Sequence, residues 1–171
     1  MSKTKSIFMV VGMSAILLLA GGTYFTTMSL KTENAQASTL GEPILVEKGN
    51  TTSQSQLGPN RTQFTFSANG TLNGTAVTNT GSYVTTMGNN FAISEGQGVI
   101  STKDGSETAS YSLIACCDNV TQDGKVTFRG SVAYSTNSTG NLSVLNNMLT
   151  FLRGEGDINT GNFNTTEWEL K

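Results

Sequence analysis

The chain has 171 residues, only 13% of them charged, and a formal net charge of −2. It contains no histidine, which removes the commonest general base and metal ligand at neutral pH. Beyond Ala37, seven Lys and Arg stand against eleven Asp and Glu, a net of −4; this excludes a basic surface for nucleic acid or for anionic membranes.

Lys3 and Lys5 precede nineteen residues without a charge, Ile7 to Phe25. Two readings stand. A basic start, an apolar run and the small-x-small site Ala35-Gln36-Ala37 describe a cleaved secretory signal. Nineteen uncharged residues also suffice for a bilayer-spanning helix with its lysines kept inside. Both place the remainder outside the cytoplasm, secreted or anchored. The expected organisation is therefore a signal or anchor plus linker over 1–37 and one domain over 38–171.

Pro43 to Glu47 reads as a first strand, at an edge because of the proline. Gly49-Asn50 and Gly58-Pro59-Asn60 read as turns. From Gln63 to Val77, Phe64, Phe66, Ala68, Gly70 and Leu72 share one face. Either Asn69-Gly70 or Asn73-Gly74 can supply a hairpin turn there. Gly81 to Thr86 is a further strand. Phe91–Ser101, Thr108–Ala115 and Lys125–Tyr134 then alternate with period two, as half-buried strands do. Ala109, Tyr111, Leu113 and Ala115 share a face, as do Val126, Phe128, Val132 and Tyr134. Asp104-Gly105 and Asp123-Gly124 are the dipeptides a type I′ hairpin favours. Leu142, Leu145 and Leu149 are helically spaced. Thr150–Gly156 and Thr165–Leu170 close the chain, with Trp168 expected in the core. Seven to nine short antiparallel strands make an all-β barrel or sandwich.

Few residues invite chemistry. Glu95 shares a strand face with Phe91, Ile93 and Val99; if that face is internal, it is a carboxylate with a raised pKa and the only catalytic candidate. The opposite face, Ala92, Ser94, Gly96, Gly98 and Ile100, can equally be the inner one. Asn-x-Ser/Thr sequons occur at Asn50, Asn60, Asn69, Asn73, Asn119, Asn137, Asn141 and Asn164, about twice the chance expectation of about four, as in an exported glycoprotein. Cys116 and Cys117 are the only cysteines. Adjacent strand residues face opposite ways, yet thiols outside the cell tend to pair, so a strained vicinal disulfide is expected, with free thiols and intermolecular bridging as alternatives. Asp157 and Asn159 begin a stretch like a calcium loop, but Gly161 and Trp168 fall where ligands belong and the flanks read as strands, so a hairpin loop is expected. No cofactor is expected.

The segments Glu95-Gly-Gln-Gly-Val-Ile-Ser-Thr-Lys-Asp-Gly105, Phe128-Arg-Gly-Ser131, Gly140-Asn-Leu-Ser-Val-Leu-Asn-Asn147 and Gly161-Asn-Phe-Asn-Thr-Thr-Glu-Trp-Glu-Leu-Lys171 resemble a group of uncharacterised exported archaeal proteins. Their barrels are similar to those of allene oxide cyclase and dirigent-type proteins. The resemblance covers about Leu40 to Lys171. It implies an eight-stranded antiparallel barrel able to hold a small apolar ligand, with Glu95 as the candidate for the interior carboxylate of cyclase barrels. The function expected is that of a non-enzymatic exported envelope protein that binds a small hydrophobic ligand or a surface partner. A purely structural surface protein and a cofactor-free cyclase or isomerase are the alternatives.

Overall fold

A computed structural model describes residues 40–171 apart from Asn90 and Asn119. The expected amino-terminal signal or anchor lies outside the described residues. Eight strands follow one another as a meander: β1 (Leu45–Gly58), β2 (Arg61–Leu72), β3 (Thr75–Met87), β4 (Ala92–Thr102), β5 (Thr108–Cys117), β6 (Lys125–Ser135), β7 (Leu149–Asp157) and β8 (Asn162–Glu169). Each pairs antiparallel with the next, and β1 pairs with β8, so the sheet closes into a barrel. Closure removes the free edges that an open sheet exposes.

The turns set the strand phase. Asn73 and Gly74 both have positive φ, 44° and 87°, the type I′ signature, and Leu72 pairs with Thr75 across them. The two Asp-Gly pairs are different: only Gly105 and Gly124 have positive φ. At the first of these, Asp104 Oδ1 accepts from Thr102 Oγ1 at 2.6 Å and Ser106 N at 3.1 Å, stabilising a longer loop. Gly49-Asn50 is not a turn. It lies inside β1, which runs on past a bulge at Thr52 to the hairpin at Pro59-Asn60.

Inward positions follow one alternation round the barrel, and glycine and aromatic residues meet there as cross-strand partners. Gly49 opposes Phe163, Gly81 opposes Phe66, Gly96 opposes Tyr83, Gly98 opposes Tyr111 and Gly154 opposes Phe128. A Cβ added at Gly49, Gly81, Gly98 or Gly154 would collide with the ring of its partner, and one at Gly96 with Ser82 O and the Cβ of Tyr83. The interior of an eight-stranded barrel is narrow enough for side chains to fill, and here a ring from one strand lies over bare backbone on the next.

One end is closed by a single 3-10 turn, Asn141–Leu145, whose Leu142 and Leu145 are fully buried with Leu45, Leu72 and Ile100. Glu107 holds that turn in place by accepting from the backbone N–H groups of Asn141 (2.9 Å) and Leu142 (2.7 Å). The helical spacing of the leucines is thus real, but it extends for one short turn only.

Candidate functional site

Two carboxylates lie inside the barrel, and neither is Glu95. Glu47 on β1 and Glu167 on β8 are 3% and 4% exposed. The closing seam brings them together, because Leu45 pairs with Glu167 and Glu47 with Thr165. Glu47 Oε2 accepts from Asn79 Nδ2 at 3.0 Å and from Thr165 Oγ1 at 3.4 Å. Asn79 Oδ1 in turn accepts from the Tyr111 hydroxyl at 2.9 Å. Glu167 Oε2 accepts from the Tyr134 hydroxyl at 2.9 Å and from Thr150 Oγ1 at 2.6 Å. The Tyr111 and Tyr134 rings, 5.5 Å apart, join the two halves. Glu47 Oε1 is buried with no hydrogen-bond partner.

All seven Lys and Arg of the barrel are exposed, so no cation among the described residues compensates these acids. Burial raises the Glu47 carboxyl, and the hydrogen bonds from Asn79 and Thr165 offset only part of that. Burial likewise pushes Glu167 up to about 7 against its bonds to Thr150 and Tyr134, with Glu47 adding to the rise. Two carboxyls without a counter-ion in a low dielectric are both shifted toward their protonated form. Burial also raises both tyrosines, which therefore remain hydrogen-bond donors. The arrangement can store or pass a proton within a packed interior.

The candidates read from the sequence fall elsewhere. Glu95 is exposed on the outer wall, because β4 turns Ala92, Ser94, Gly96, Gly98 and Ile100 inward. That face is the less bulky one, and it must be, since Tyr83 and Tyr111 from the flanking strands fill the space beside it. Trp168 is also outside, beside Phe151 with the rings tilted by 34° and their centroids 6.2 Å apart. The cysteines do not form the expected vicinal ring. The β ladder runs through both, Cys116 pairing with Ile93 and Cys117 with Ala92, and both thiols are free on opposite faces. Cys117 Sγ lies 3.9 Å from Ser94 Oγ, and burial raises its thiol pKa.

Asp157 forms a hairpin loop. Its Oδ1 accepts from Asn159 N at 2.8 Å and its Oδ2 from Lys125 Nζ at 2.7 Å, and the lysine bond holds the carboxyl low. Asn159 Nδ2 donates to Asp123 O, tying two loops together. Among the sequons, Asn60, Asn69, Asn73, Asn137, Asn141 and Asn164 are exposed. Asn50 is exposed too, but its amide donates to Thr160 O and Asn162 Oδ1. Asn119 lies outside the described residues.

The concave surface is on the outer wall. A groove of about 790 Å³ crosses β3 to β6 and is lined by hydroxyls, among them Thr80, Ser82, Ser110, Ser112 and Ser135. A smaller hollow of about 220 Å³ lies on β7 and β8, between Arg153, Glu155, Asn164 and Trp168.

The interior carboxylates had one sequence signal, strand phase. Leu45-x-Glu47-x-Gly49 and Phe163-x-Thr165-x-Glu167 each place a Glu in step with inward residues. Taking Trp168 as core inverted the second of these. No family model matches the chain, and no curated protein or solved structure aligns with it significantly.

Proposed function

We propose that this is an exported, non-enzymatic protein of the cell envelope, whose barrel is a rigid scaffold engaging a surface partner through its outer wall. One observation supports this above all: five inward glycines lie opposite an aromatic residue of the neighbouring strand, so much of the interior is taken up by packing. Recognition is left to the hydroxyl-lined groove across β3 to β6. The uncharged run Ile7–Phe25 behind Lys3 and Lys5 supports export, and the sequons fit a glycosylated exterior. Native mass spectrometry of protein purified from its own envelope tests the reading. A glycan-bearing barrel free of small apolar ligand, crosslinked in intact cells to another envelope protein through the groove, is the expected result. A stoichiometric lipid or terpenoid mass within the barrel, or full protection of the domain from protease added to intact cells, overturns it.

A second reading draws on the buried acids. Glu47 and Glu167, with raised pKa values and tyrosine donors beside them, have the make-up of a general acid–base pair for a cofactor-free isomerase of the allene oxide cyclase kind. A cavity opening onto Glu47 in a ligand-bound crystal structure would favour it over the scaffold reading.

A further inference from the structure

The middle of the outer wall is rich in hydroxyls, and exposed apolar side chains gather at both rims, Met87, Phe91 and Ile93 at one and a second group where the chain enters the barrel. There, three adjacent strands turn apolar side chains outward: Leu149 and Phe151 from β7, Trp168 from β8 and Val46 from β1, with Leu170 just beyond β8. Leu149, Leu170 and Val46 are 47%, 42% and 45% exposed. Phe151 and Trp168 are partners in register, and Leu170 N donates to Leu149 O at 2.9 Å, so the patch is continuous across β7 and β8. The entering chain joins the same rim, since Ile44 N donates to Glu167 O at 2.8 Å and Leu40 beside it is also exposed.

Upstream of Leu40 stands the uncharged stretch that contains Ile7–Phe25. The intervening residues, 26–39, span no more than about 50 Å even when fully extended. A barrel tethered so closely meets its own membrane at high effective concentration, so a modest apolar contact suffices to seat it. Trp and Phe favour the boundary between headgroups and acyl chains, and Lys171, exposed at the same rim, can reach the headgroups. We infer that this rim patch rests on the headgroup–acyl boundary of the bilayer that holds Ile7–Phe25, which fixes the opposite rim and the side-wall groove away from the lipid. The inference rests on the reading of the amino-terminal run as a retained anchor. The barrel is net acidic, so the contact is apolar and not driven by anionic lipid.

Trp168 is the only tryptophan and reports directly. The full chain is reconstituted in phosphatidylcholine vesicles carrying brominated acyl chains, with flotation and Trp168 fluorescence read together. The expected result is co-flotation, a drop in emission of about twofold, as suits an indole at interfacial depth, and protection from iodide. The double variant Leu149→Ser/Leu170→Ser should float and keep its thermal midpoint but lose the quench. Ile93→Ser, in the exposed apolar cluster of the opposite rim, should change nothing. Failure to float overturns the anchor reading and the docking with it. Flotation with an unquenched, iodide-accessible Trp168, or with a dimer crosslinked through this patch, overturns the docking alone.

Discussion

The phenol of Tyr111 covers the backbone of Gly98, its partner across β4 and β5, so closely that a methyl group on the glycine would overlap the Tyr111 hydroxyl. The same hydroxyl donates to Asn79, which donates to Glu47. The smallest inward residue of β4 thus determines where the polar network starts. Gly98→Ala should displace the ring and cost about 1–3 kcal/mol. Gly58→Ala, at a site with open space and no positive φ, should be nearly neutral. Urea midpoints of the two variants check this, and equal shifts would contradict the packing.

Stability should fall as pH rises through neutrality. The Glu167 carboxyl titrates near 7 in the folded chain and near its ordinary 4.5 when unfolded. The folded state therefore binds the proton more tightly between those values. The stabilisation is complete below about pH 4.5 and is lost as pH climbs past 7, an effect of about 3 kcal/mol. Glu47, also raised, acts in the same direction. Asp104, held down to about 2, acts the opposite way but only in stronger acid. Chemical denaturation from pH 4.5 to 8.5 should show this decline, and Glu167→Gln should flatten it. A rise in stability over that range would refute the account.

Phe128 is half-buried over Gly154, whereas Thr127 is exposed on the opposite face of β6. Phe128→Ala should cost about 3 kcal/mol, the low end for losing such a ring. Thr127→Ala should stay within about 0.5 kcal/mol. Matched thermal melts would reveal an inverted register as equal losses.

A vicinal disulfide would require the ladder to break at both Cys116 and Cys117. The folded protein should instead carry two free thiols that react at different rates with a maleimide. Cys116, on the outer wall, should react first; Cys117, facing Ser94 with its thiolate disfavoured by burial, should follow slowly. Intact mass after aerobic purification reads the oxidation state, and a deficit of two hydrogens would rule this out.

The meander from Phe91 to Tyr134 was legible in the sequence because alternation and turn glycines are local signals; the inward faces of β5 and β6 followed from it, and that of β2 from its own alternation. Barrel closure was not local. Glu47 and Glu167 lie at opposite ends of the domain and meet only across the seam, so no window of sequence contains both. The face of β4 was left open by the sequence for a related reason. Ile93 and Val99 are more apolar than Gly96 and Gly98, but the interior is a shared volume, and neighbouring tyrosines had already taken it. Trp168 failed the same way: size suggested the core, while strand phase placed it outside.

The β1–β8 seam has a kinetic consequence. It joins only Leu45–Asn50 to Asn162–Glu167, a short zipper linking the first and last strands of the domain. Every other pairing is between sequence neighbours, so the seam closes the longest loop and should form last. Closing it is also the step that takes Glu47 and Glu167 out of water. Ring closure and neutralisation of the two acids are then one event, and the refolding rate after dilution from urea should slow as pH rises above 7. Stopped-flow refolding that is independent of pH would separate the two events.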